Sequence, residues 1–119
     1  ETGFKIIVSS YQDEQRKRFA IAQELGHLFL HMGYKTNAEI WEKQADKVPF
    51  QEKDPEKVRQ ANEFAAALLM PRYIFFLTLE AASDIAESGK RTIHMQAVAD
   101  FFNVSLSAAY TRAKDFGII

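Results

Sequence analysis

Residues Arg18 to His31 read RFAIAQELGHLFLH, and the reading of this stretch decides the fold. Phe19, Ala22, Leu25 and Phe29 recur at steps of three and four, the spacing of one face of an α-helix. Asp13 stands upstream as an N-cap and Gly33 downstream as a stop. A helix from about Glu14 to His31 follows. Three of its polar residues are Gln23, Glu24 and His27, and positions four apart, such as 23 and 27, lie on one face.

A zinc peptidase commonly uses that spacing. In His-Glu-x-x-His two imidazoles on one helix face bind the ion, and the glutamate between them polarises the metal-bound water as general base. Here Glu24 and His27 stand at the base and second-ligand positions, and Gln23 at the first. Further along, Asp54-Pro55-Glu56 reads as an N-cap, a proline at the first helical position and an acid in the first turn. The helix they open runs into ANEFAAALLMP, Ala61 to Pro71. Together and in this order, the two stretches resemble the ImmA/IrrE family of zinc metallopeptidases. Its signatures read like R-F-T-[IL]-A-H-E-[LI]-G-H and E-x-x-A-N-x-F-A-A-x-L-L-M-P. The resemblance covers most of the chain and implies a zincin-like, gluzincin-like fold with the site helix packed against the second motif helix. It also implies a third ligand, a glutamate three residues before Ala61. That position is Val58.

Coordination counting then sets the functional expectation. A catalytic zinc takes three protein donors and leaves one position for water. His27 supplies one, Gln23 offers only a neutral amide oxygen, and Val58 offers nothing. No cofactor is expected, and Glu24 is a vestigial base. Helical spacing turns Glu56 and Glu63 away from the face that Val58 shares with Ala61, Asn62 and Ala65. A rewired pair of His27 and His31 is the weaker alternative, because the apolar LFL run between them points to local packing of His31. His31 and Asn62 are instead candidate binding residues of the cleft. The third histidine, His94, reads as an exposed residue in the first turn of its helix.

Outward from the two motifs the chain reads as mostly α, class α+β, with about five helices and a small sheet of short strands. Phe4 to Ser9 is a short β-rich stretch, and Val48 to Gln51 a candidate edge strand in which Pro49 is tolerated. Residues between Gly33 and Asp54 are otherwise polar and poorly periodic. A helix is expected over Arg72 to Glu87 with Gly89 past its end, and another from Thr92 or Ile93 through Phe102. Asn103 suits a left-handed cap, and Ser105 caps a last helix to about Asp115. Residues 92–117 therefore resemble a helix-turn-helix. Phe75, Phe76, Phe101, Phe102 and Phe116 read as core or interface.

The chain of 119 residues is 47% hydrophobic and 26% charged, which suits one domain over 1–119 with a modest core. Glu1-Thr2-Gly3 is either a cloning remnant or the cut end of a longer protein. A net charge of −1, and only Arg112 and Lys114 as basic residues on the last helix, argue against nucleic acid as partner. There is no run long enough for a bilayer, and zero cysteines fit a cytoplasmic setting. In the family that the chain resembles, members encoded by mobile elements such as phage cut or inactivate a repressor, and others act in stress responses. The expectation is a pseudoenzyme that binds a protein partner such as a repressor-like regulator and bears on transcription. The alternatives are an active zinc endopeptidase cutting a regulatory protein and a DNA-binding module centred on the C-terminal helices.

Overall fold

The computed structural model describes residues 5–8, 13–44 and 53–119. In chain order its elements are α1 (Glu14–Leu30), α2 (Ala38–Gln44), α3 (Pro55–Leu69), α4 (Arg72–Ala81), β1 (Ser83–Ile85), β2 (Arg91–Ile93), α5 (Met95–Phe102) and α6 (Leu106–Asp115). This is an α+β fold, mostly α, with one small antiparallel sheet of β1 and β2 among the described residues.

The helix ends follow from local chemistry. Asp13 accepts from the Arg16 amide, Asp54 from the Glu56 amide and Ser105 from the Ala108 amide, so three helix starts have a side-chain acceptor for an otherwise orphaned N–H. Asn103 adopts the left-handed conformation, φ 53° and ψ 50°, and turns α5 into α6. Gly33 has φ +78°, and a Cβ there would lie 2.5 Å from the Asn37 carbonyl oxygen. Any larger residue would block the turn into α2.

Several expectations change. Residues 5–8 form no strand, since a lone β-rich segment needs a partner and none pairs with it among the described residues. Phe4, Ser9 and Val48 to Gln51 lie outside the described residues. The helix expected to Glu87 stops at Ala81, and the Thr92–Ile93 stretch is strand rather than helix start. Ser83 Oγ donates to the Leu79 carbonyl, which ends α4, and Ser83 pairs with Ile93 in the hairpin. Gly89, at φ +86°, and the Ala86 amide bond to Lys90 close its turn. His94 is exposed as expected, but it precedes α5 as its N-cap residue and bonds Asp84 Oδ2 at 2.7 Å. The pattern of the sequence does not announce α2. Its start is set by Asn37 Oδ1, which accepts from the Ile40 amide, and Trp41 packs edge-on against Tyr34.

Two packed units result. α1 and α3 meet through small residues, with Ala22, Gly26, Ala61 and Ala65 buried. A Cβ on Gly26 would lie 3.1 Å from Ala61 Cα and 3.2 Å from Phe64 Cβ, so the helix axes approach closely at this point. The second unit is a larger apolar core under α4, α5 and α6, built on Met70, Phe75, Leu79, Val98, Phe102 and Val104. Burial of side chains of this size stabilises by roughly 1.5–3 kcal/mol each. Phe116 packs on both Phe75 and Phe76, whereas Phe101 is largely exposed. Pro71 separates the units, and α3 and α4 are bent by 59° across it. No single helix among the described residues is long and apolar enough to cross a membrane.

Candidate functional site

α1 with its C-cap His31, and α3, carry every candidate site residue. Close contact at Gly26 brings Gln23 and His27, on either side of it in α1, next to the polar edge of α3. Gln23 Nε2 donates to Asn62 Oδ1 across the interface. His27 is 7% exposed, and its Nδ1 lies 2.9 Å from His31 Nδ1. His31 Nε2 in turn lies 2.8 Å from Gln60 Oε1 on α3.

The proton positions in this chain follow from its far end. Gln60 Nε2 donates to Glu56 Oε2, so its carbonyl oxygen faces His31. His31 must then donate from Nε2. With both rings neutral, His31 Nδ1 is the acceptor and His27 Nδ1–H the donor. Glu56 anchors the network from the surface, where the hydrogen bond from Arg59 holds its carboxyl below the ordinary range.

Glu24 is half-buried beside this network, and burial pushes its pKa up. It makes no hydrogen bond or ion pair among the described residues. Val58 is 36% exposed on α3 and has no donor atom. Glu56 and Glu63, its charged neighbours, both bond Arg59. No group of three or more His, Asp or Glu among the described residues could hold a metal ion.

The described residues gather fewer donors here than the three that a catalytic zinc takes from protein. The Gln23 amide is held as a hydrogen-bond donor to Asn62, the His27 and His31 rings bond each other, and the third position is aliphatic. Sequence reasoning misses Gln60. Its one available signal is an amide four residues after Glu56 on the same helix face.

Gln23 and Asn62 also line a groove of about 980 Å³ between α1, α3 and α6, with Ala66, Ala67, Ser107 and Thr111 among its other walls. Two arginines tie the units together around it. Arg18 Nη1 donates to the Phe102 carbonyl at 3.1 Å and also to that of Asn103, at the end of α5. Arg112 Nε donates to the Met70 carbonyl at 3.1 Å, at the end of α3, and its guanidinium lies 4.4 Å from the Phe116 ring centroid. Each supplies a positive group where helix carbonyls lack partners.

The sequence model of one protein family, described as Peptidase_M78, IrrE N-terminal-like domain, matches residues 5–114. No curated protein and no solved structure matches the chain.

Proposed function

This chain belongs to the IrrE N-terminal-like peptidase family, and on that premise we propose that it is a metallopeptidase-like domain which does not retain zinc and acts by binding a protein partner. The partner class is a repressor-like regulator, and the absence of cysteine suits a reducing cytoplasm. The observation that carries the proposal is the donor set itself: Gln23 offers only a neutral amide oxygen beside His27, and Val58 offers no donor atom. One buried imidazole already bonded to a second, with an isopropyl group at the third position, is no match for water and cellular competitors. Such a domain keeps the scaffold and the cleft of a peptidase without its activated water.

One observation favours the active-peptidase alternative. Glu24 stands at the base position in a half-buried setting that raises its pKa, as general bases often require. Coordination counting outweighs it, because a base without a bound nucleophile does nothing. DNA binding through α5 and α6 has less support, since Arg112 is engaged by Met70 and Phe116.

Elemental mass spectrometry on the purified chain tests the proposal. Less than about a tenth of an equivalent of zinc is expected after exposure to a small excess of the metal. Stoichiometric zinc defeats it. The double substitution Gln23→His with Val58→Glu should gain zinc uptake; a folded double variant that gains none means that the ligand positions are misassigned.

A further inference from the structure

We infer that the outer face of α4 is an interface between two copies of this chain, with the two α4 helices packed antiparallel across a two-fold axis. The contact is independent of the metal site. α4 reads RYIFFLTLEA, and Phe75 and Leu79 face the core. The helix is apolar on its other sides too. Tyr73 is 75% exposed and Leu77 51%, with Ile74 and Phe76 exposed beside them. Tyr73 and Leu77 are four residues apart and form one stripe, where a surface helix ordinarily carries polar groups. The four side chains together expose roughly 400 Å², the size of patch that marks an interaction site on a globular protein.

Charge names the occupant. α4 has two ionised side chains, Arg72 at its start and Glu80 near its end. Neither makes an ion pair among the described residues. Arg72 lies over the rings of Phe76 and Phe116, 5.8 and 5.6 Å from their centroids, which leaves its N–H edges without a carboxylate. Eight residues of helix place Arg72 and Glu80 about 12 Å apart along the axis and about 80° apart around it, both on the Phe76 side of the stripe. Two such helices run antiparallel set each Arg72 beside the partner's Glu80, at both ends of the contact, with Phe76 and Leu77 near the axis. A parallel pair would oppose like charges. The face is therefore complementary to itself, as a two-fold interface requires.

A lipid surface suits the stripe less well. Ten residues of helix span about 15 Å, half of a hydrocarbon core, and one arginine opposed by one glutamate makes no basic face for lipid headgroups. Two copies would bury about 800 Å² through these side chains, at the weak end of specific interfaces. A dissociation constant on the order of tens of micromolar follows.

Sedimentation velocity on the full chain, from about tenfold below that constant to about tenfold above it, should show a monomer passing into a dimer. Leu77→Ser should weaken the dimer by about tenfold or more. Arg72→Glu and Glu80→Arg should each weaken it by about tenfold, since by symmetry either one turns both ion pairs into like-charge contacts. Each places at its helix end a charge that the helix dipole favours. Mixed in equal amounts, the two charge variants should recover the parent's affinity as a heterodimer, because each glutamate then meets an arginine. Should Arg72→Glu melt early, Leu77→Ser and Glu80→Arg, both at exposed positions, carry the test. A chain that stays monomeric throughout, a dimer indifferent to Leu77→Ser and Glu80→Arg, or folded charge variants that fail to recover on mixing overturns the inference. So does a monomer that co-sediments with phosphatidylcholine–phosphatidylserine vesicles and is released from them by Leu77→Ser.

Discussion

Replacing Gly26 by leucine tests the contact on which the whole site is built. Even the first added carbon would sit 3.1 Å from Ala61 Cα, 3.2 Å from the Ala61 carbonyl oxygen and 3.2 Å from Phe64 Cβ. Two of these neighbours belong to the backbone of α3, so no rotamer change relieves them, and the helices must part by a few tenths of an ångström. Alanine at this position already costs about 1–3 kcal/mol in overpacking, partly offset by a gain of about 1 kcal/mol in helix propensity. Leucine adds three more carbons with no space opened for them, and a net loss of about 3 kcal/mol is expected. In a domain of this size that lowers the melting temperature by roughly 10 °C, measurable by circular dichroism. Ala61→Gly in the same background should give no rescue, because the obstructing atoms are the Cα and carbonyl, which glycine retains. A Gly26→Leu variant melting within about 2 °C of the parent would refute backbone-to-backbone packing of α1 on α3.

Further outcomes follow from other contacts. Gln23→Ala and Asn62→Ala should each cost about 0.5–1.5 kcal/mol in urea unfolding, and the double variant less than their sum, since one hydrogen bond links them. Strict additivity would contradict the bond. Glu24→Gln probes the elevated pKa: burial disfavours the carboxylate in the folded chain, so the glutamate contributes stability at low pH that is lost as pH rises through its folded pKa. The Glu24→Gln variant should therefore be the more stable at pH 7, with the difference shrinking below the ordinary carboxylate range; a difference constant across pH would refute the assignment. Arg18→Ala should destabilise by about 1–2 kcal/mol, and Arg18→Lys by nearly as much, since the guanidinium bonds two carbonyls at the end of α5. Amide exchange at the end of α5 should speed up in both.

Local chemistry makes much of the fold legible. Asp13, Asp54-Pro55, Asn103 and Ser105 each act within a few residues of themselves, and each marks a helix end at the expected place. The hairpin is hidden because its strands have three residues each, too few for alternation to register, and the alanines around it favour helix. α2 is hidden for the opposite reason: its sequence is polar, and the Tyr34–Trp41 contact that steadies it bridges a turn. At the site, the departures at Gln23 and Val58 can be read directly. What takes their place cannot. Asn62 meets Gln23 over 39 residues of chain, and Gln60 meets His31 over 29, so only the packed helices bring these partners together.

The two long arginine contacts have a mechanical consequence. One runs from the first helix to the fifth and the other from the sixth back to the third, so the stitches cross the chain in opposite senses. Sliding one helical layer over the other strains both. The small-residue pair, too thin to persist alone, thereby shares the fate of the aromatic core, and heat or denaturant should melt the two in a single step.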